Sequence, residues 1–496
     1  MYQRVLAGVE KALGRDHPST LQTVSNIGNL YKDQGKLKEA EEMYQRALEG
    51  YGKALGPDHT STLDTVNNLG NLYSGQGKLK EAEEMYQRVL AGFKKALGPG
   101  HPSTLQTINN LGLLYSDQGK LKEAEEMYQR ALVGKEKDLG PDHTSTLNTV
   151  NNLGLLYSNQ GKLKEAEEMY QRALAGYGKA LGPDHTYTLN TVNNLGLLYS
   201  KQGKLKEAEE MYQRALEGYG KALGPDHTCT LNTVNNLGNL YSGQGKLKEA
   251  EEMYQRALAS YYKALGPDHT STLNTVNNLG LLYSNQGKLE AEEMYQRALA
   301  GKEKALGPDH TSTLNTVNNL GNLYFSQGKL KEAEEMYQRV LAGFKKALGP
   351  GHPSTLQTVG NIGNLYKDQG KLQQAEEIYQ AVLAGFEKAL GPDHTFTLNT
   401  VYNLGLLYSN QGKLEAEEMY QRALEGYEKV LGPDHISTLD TVHNLGNLYR
   451  NQEKREEAED MYQRALTGYE KALGPDHSRT QQLAERLNAL NIANGK

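Results

Sequence analysis

The chain of 496 residues has no tryptophan, five phenylalanines and a single cysteine, Cys229. A lone cysteine excludes an intramolecular disulfide and a cysteine-rich metal site. It stands in HTCT, where sister segments carry Ser or Thr, and reads as a neutral exchange. No apolar run approaches the roughly 18 residues of a membrane span. The opening MYQRVLAGVE lacks the charged-then-apolar plan of a secretory signal, so a reducing, cytoplasmic setting is expected. Neither sign of charge dominates: 54 basic residues meet 60 acidic ones, interleaved at short range. That excludes the basic footprint of a nucleic-acid binder. No phosphate-cradling loop, nucleophile elbow or dinucleotide fingerprint occurs. Neither an enzyme active site nor a cofactor is therefore expected.

What is present is one 42-residue unit copied from end to end. A clean copy runs from Asp142 to Pro183, DHTSTLNTVNNLGLLYSNQGKLKEAEEMYQRALAGYGKALGP. Its histidine recurs at His17, His59, His101, His143, His185, His227, His269, His310, His352, His394, His435 and His477, with two steps of 41 and the rest of 42. A fixed period of this length means a stacked solenoid. Length alone would suggest about three globular domains. The repeat replaces them with one quasi-linear domain in which each unit touches only its neighbours.

Two helices fit each unit. The first spans about Thr146 to Asn159, with Leu147, Val150, Leu153 and Tyr157 on one stripe. Asp142, Thr144 and Ser145 are candidate N-caps, and Gly161 ends the helix. The second spans about Leu163 to Leu181, with Leu163, Ala166, Tyr170, Ala173, Leu174, Tyr177 and Leu181 inward. Lys164, Glu165, Glu167 and Glu168 fall on its solvent side, and Gly182-Pro183 turns the chain into the next unit. Gly154, inside the first helix, costs about 1 kcal/mol relative to alanine. It recurs in every complete unit, so close packing must demand it.

Val150-x2-Leu153-Gly154-x2-Tyr157, followed by Ala166-x3-Tyr170-x2-Ala173, resembles the tetratricopeptide (TPR) pattern W-x2-L-G-x2-Y…A-x3-F. Val or Ile replaces the tryptophan, and the period is 42 rather than 34. The lengthened unit, with NNLG, QGK, EAE, YQRAL and LGPDH, is similar to the TPR region of kinesin light chains and to the arrays of fungal NOD-like signalling proteins. The near-identity of the copies and the lack of a preceding heptad coiled coil fit the fungal arrays better. The resemblance implies an all-α, right-handed superhelix and a scaffold for protein or peptide partners. It leaves two alternatives open: the sensing arm of a nucleotide-dependent signalling protein, and a cargo adaptor of a kinesin motor.

Along the chain, residues 1–14 read as the second half of a truncated unit, 18–475 as eleven helix pairs, and 478–496 as a more polar capping helix. An uncapped first helix exposes an apolar face, which suggests that Met1 is a start placed at a repeat methionine and offers a route to self-association. The block MYQRVLAGFKKALGPGHPSTLQT occurs at 85–107 and again at 336–358. Two units read GKLEAEE, at Gly287 and Gly412, in place of GKLKEAEE. That deletion should turn Leu289 and Leu414 by about 100° from the following stripe.

First-helix side chains that do not face within the pair, namely Asn148, Asn151, Asn152, Leu155 and Ser158 in the reference unit, should line the concave surface. The Asn152 position is asparagine in every complete unit: Asn26, Asn68, Asn110, Asn152, Asn194, Asn236, Asn278, Asn319, Asn361, Asn403 and Asn444. The preceding position adds Asn67, Asn109, Asn151, Asn193, Asn235, Asn277 and Asn318 and varies to Ser25, Gly360, Tyr402 and His443. Asparagine is a mediocre helix former, so an unbroken ladder needs a reason. Its amide can bind an extended peptide backbone, as the resemblance implies, or join neighbouring units. The Leu155 position alternates between Leu and Asn, which could tune specificity or reflect drift. Inward-facing cations are few, Lys32, Lys201 and Lys367 near helix ends, so no carboxylate clamp is expected. The turn histidines stand about 10 Å apart, the packing distance of neighbouring helices, too far to share a metal ion. Glu167-Glu168 reads as a solvated pair.

Overall fold

The computed structural model describes residues 2–493, which form twenty-four α-helices and no strand. The reference unit gives an A helix, Thr144–Asn159, and a B helix, Leu163–Leu181. The A helix starts two residues earlier than its apolar spacing indicates, because the N-cap is none of Asp142, Thr144 or Ser145. It is His143, in extended backbone, whose Nδ1 accepts the Ser145 N–H at 3.2 Å. With Nδ1 accepting, the proton of the neutral ring sits on Nε2. Thr146 Oγ1 reaches back to Gly140 O at 2.8 Å and closes the end of the preceding B helix.

Leu147, Val150, Leu153 and Leu156 of the A helix and Ala166, Tyr170, Ala173 and Tyr177 of the B helix are buried. Tyr157 is half-buried instead, and Leu156 takes its place in the core. Two glycines set the helix separation. A Cβ on Gly154 would stand 2.8 Å from Tyr170 Cδ1, and one on Gly176 would stand 2.6 Å from Leu147 Cδ2. Both are closer than carbon atoms pack.

Between repeats, Glu125 is not left to solvent. It accepts from Tyr157 Oη at 3.2 Å and Gln160 Nε2 at 3.1 Å, and pairs with Lys162 at 3.1 Å. Glu167 does the same with Tyr199, Gln202 and Lys204. The expected solvated pair is thus half clamp, and only Glu168 is exposed. In the two shortened repeats the B helices begin at Glu290 and Glu415, and Leu289 and Leu414 swing outward to 86% and 85% exposure. The final helix, Ser478–Ala493, buries Leu483 and Leu487. The remainder of the 478–496 segment, like Met1, lies outside the described residues.

The units do not touch only their neighbours. His310 Nε2 lies 3.4 Å from Gly75 O and His394 Nε2 lies 3.1 Å from Asn159 O, each across 235 residues. The same displacement sets a Cβ on Gly119 2.7 Å from His352 Cδ2 and one on Gly203 2.9 Å from His435 Cδ2. The superhelix therefore returns on itself after six repeats (from the His59 repeat to the His310 repeat), and the histidine turns of a second coil rest on the A–B loops of the first. Leu348, Leu390 and Leu431 pack there against the clusters around Leu79, Leu121 and Leu163. Those three leucines are buried, whereas Leu205, Leu247, Leu330 and Leu372 at the same position stay half-exposed. The seam leaves a cavity of about 420 Å³ beside His394 and Phe396.

Burial in this seam holds His269, His310, His394 and His435 below the usual histidine range and pushes His352 down to about 4. Lys302 adds to this at His310 and Lys201 at His394, while Asp440 opposes it at His435. Closure keeps its full stability above about pH 6.5. Below that the open chain takes up protons that the closed one refuses, so closure weakens. Asp117, beside His352, is pushed up to about 6 by burial and acts in the opposite sense, one group against five histidines. Small-angle scattering should show a longer maximum dimension at pH 5 than at pH 7.5, with unchanged helical circular dichroism.

Where other repeats bury Tyr177 or Phe93, two bury a lysine. Lys135 Nζ donates to Thr149 Oγ1 at 3.0 Å, Gln106 Oε1 at 3.1 Å and Ser145 O at 3.2 Å, with no carboxylate among these partners. Burial lowers Lys135 and Lys302 to about 8. Holding such a charge costs about 3 kcal/mol at neutral pH, a cost that declines as the pH rises from 8 to 10.5. Lys135→Tyr and Lys302→Tyr should each raise the thermal midpoint at pH 7, and the gain over the parent chain should shrink toward pH 10.

Candidate functional site

The A helices form the inner wall of the superhelix. Successive A helices come into contact along the described residues, and no pair of successive B helices makes contact as extensive. Along that wall the asparagines meet across repeats. The Nδ2 of the second asparagine donates to the Oδ1 of the first asparagine in the repeat before. Asn110 reaches Asn67 and Asn152 reaches Asn109 at 3.3 Å, Asn194 reaches Asn151 at 3.2 Å, and Asn236 reaches Asn193 at 3.1 Å. Asn319 reaches Asn277 at 3.2 Å and Asn361 reaches Asn318 at 3.1 Å. The ladder shifts at Asn235, whose Nδ2 donates to Thr275 Oγ1 at 3.0 Å rather than to an amide.

Most of these side chains are half-buried. Asn109 is only 3% exposed, and Asn26, which accepts from Gln22, is exposed. Asn68 stands after Ser25, Asn278 after Asn235, and Asn403 after Gly360, which has no side chain to meet it. Each ladder bond engages one amide atom of each asparagine. Some of the remaining amide atoms are also engaged or covered: Asn110 Oδ1 accepts from Gln106 at 3.0 Å, and Asn235 Oδ1 is buried.

The Leu155 position has a structural logic that the sequence does not display. Where it is Asn, the amide accepts the hydroxyl of the core tyrosine: Tyr44 to Asn29, Tyr86 to Asn71 and Tyr254 to Asn239, all at 2.6 Å. Burial pushes these hydroxyls up, so they stay protonated donors. Where it is Leu, Leu113, Leu197 and Leu281 stand exposed on the wall. Ser158, expected on the surface, is buried and accepts from Lys201 Nζ at 3.0 Å.

The wall changes character in its last repeats. Asn444 Nδ2 donates to Tyr402 Oη, and the ladder ends in Arg486, whose Nη1 lies 3.3 Å from His443 Nε2 and donates to Asn447 Oδ1 at 3.2 Å. Arg479 pairs with Asp440 at 3.0 Å. Arg450 also acts electrostatically on His443. Burial, reinforced by Arg486, pushes His443 down to about 4. Alignment of the 42-residue frame onto the final helix would have placed Arg486 at the asparagine position, since 444 plus 42 is 486. Among the described residues no group of three or more His, Cys, Asp or Glu could hold a metal ion, and no helix is long and apolar enough to cross a membrane. Arg486→Gln should raise the His443 pKa measured by NMR titration, while burial keeps it below the ordinary value.

The tetratricopeptide repeat family model matches in overlapping windows that run without a gap from residue 1 to residue 471, among them 1–53, 144–221 and 402–471. No curated protein matches the chain. Among solved structures, a kinesin light chain-like protein of Podospora anserina with nearly identical TPR-like repeats is 28% identical. The match covers 41% of this chain and 97% of that one, at a TM-score of 0.34. BtubC from P. vanneervenii is 23% identical over 46% of this chain and 91% of its own, at a TM-score of 0.37. A Rap protein complexed with Competence and Sporulation Factor is 16% identical over 74% of this chain and 98% of its own, at a TM-score of 0.51. The paired antiparallel helices, the small residues at their crossings and the unbroken run of family matches make this chain a member of the tetratricopeptide repeat family.

Proposed function

We propose that the chain is a protein-interaction scaffold whose concave wall holds an extended peptide segment of a partner. The observation that carries this reading is the asparagine ladder: a row of amides, most of them half-buried and joined across repeats, in which each bond uses one amide atom of each partner. Fixed donors and acceptors lose little entropy on binding, and an amide matches a peptide group whatever its side chain. Leu113, Leu197 and Leu281, exposed beside the ladder, supply apolar contacts. Arg450 and Arg486 favour an anionic group at the C-terminal end of the wall.

A peptide library screened against the chain supplies a ligand for the test. Alanine at Asn151, Asn152, Asn193 and Asn194 together should weaken that ligand at least tenfold, in line with about 0.5–1.5 kcal/mol per hydrogen bond. N-methylation of alternate peptide bonds in the ligand should weaken it comparably, with no change to the protein. If N-methylation leaves affinity intact, the amides do not read the backbone. If the alanine variant loses helicity at unchanged affinity, the ladder serves the fold alone.

A further inference from the structure

The seam between coils uses two edges of the repeat: the histidine turn on one side and the A–B loop on the other. Each coil offers both edges, and the intrachain seam consumes only one of each. Because the repeats are nearly identical, the unused edges carry the same chemistry. On the first coil, His17, His59, His143 and His227 are exposed. On the second coil, Gly287, Gly328, Gly370 and Gly412 open the loops, and a Cβ added to any of them would meet nothing within 4 Å. In the first coil a histidine approaches the equivalent Gly77, Gly119, Gly161 and Gly203, and only Gly35 and Gly245 at its two ends are likewise open.

The open loop edge also holds the two most exposed large hydrophobic side chains among the described residues, Leu289 at 86% and Leu414 at 85%. Both come from the shortened repeats, and both shortened repeats lie in the second coil. At the same position Leu79, Leu121 and Leu163 of the first coil are covered by the coil above. Leu330 and Leu372, six repeats on from Leu79 and Leu121, stay half-exposed, and the deletion carries Leu289 and Leu414 the rest of the way out. Uncovered leucines beside empty histidine sockets form a surface already matched, by the intrachain seam, to the histidine edge of this same chain.

The geometry points to a second copy of this chain as the occupant: its exposed histidine edge docks on the open loop edge of the first, and the superhelix continues coaxially from molecule to molecule. The contact joins two different surfaces, so it is heterologous and does not close at two. It is continuous with the intrachain seam and separate from the asparagine wall, so it stands whether or not a peptide binds there.

Sedimentation equilibrium of the full chain at pH 7.5, from about 1 to 200 µM, decides the matter. The average mass should rise with concentration and pass that of a dimer. Leu289→Gln with Leu414→Gln should keep the chain monomeric over that range, with unchanged circular dichroism and thermal midpoint. Gly328→Asn with Gly370→Asn should do the same. The loop tolerates a side chain, since Glu453 occupies the equivalent position at φ 61. A parent chain that stays monomeric overturns the proposal. So does a mass that saturates at two, and so does association that both double variants leave intact.

Discussion

Two close approaches govern this molecule: Tyr170 lies where Gly154 has no side chain, and Leu147 lies where Gly176 has none. Each removes the freedom of one helix to slide or roll on the other. A helix pair without such contacts keeps some freedom to shift, and in a solenoid that freedom would add up. Here the first contact recurs in every complete repeat and the second in all but one, where Ser260 replaces the glycine, so the rotation from one repeat to the next is reproduced rather than scattered. A coil that meets itself after six repeats needs that fidelity, because a small error in each step would open the seam or drive the edges into collision.

On this rigid pair the polar residues take distinct tasks. The clamp of Glu125 by Tyr157, Gln160 and Lys162 holds the outer ends of consecutive repeats together, and the asparagine ladder holds their inner faces. Histidine does two things with its two nitrogens. Nδ1 caps the start of its own helix in every repeat, and in the second coil Nε2 of His310 and of His394 reaches a loop carbonyl of the first. The helix cap thus selects the tautomer that the seam requires; protonation would put a second proton on Nδ1 and break the cap, while Nε2–H would go on donating to the loop carbonyl.

The helices, the apolar stripes and Gly154 were legible because their signals are local: a spacing of three or four, a glycine in a forbidding place. The N-cap was misassigned for a local reason as well, since Asp142, Thr144 and Ser145 all have capping side chains and histidine is a rarer choice. The clamp at Glu167 was hidden because its partners lie 32 to 37 residues ahead. The arginine end of the wall was missed because the final helix departs from the pattern and its frame was not carried through. The seam could not be read at all. Leu163 and Leu205 occupy the same position in the same local sequence, yet one is 7% exposed and the other half-exposed. What separates them is how far along the coil each one stands, and no single residue encodes that.

The copied block at residues 85–107 and 336–358 acquires a meaning from this geometry. Its two occurrences are six repeats apart, one superhelical turn, so they stand one above the other at the same angle around the axis. Copying a stretch of that length adds a whole turn and returns every surface to its former bearing. A change of one or two repeats would instead rotate everything beyond it relative to the coil below. The array therefore has a natural increment of growth, set by its curvature rather than by its repeat.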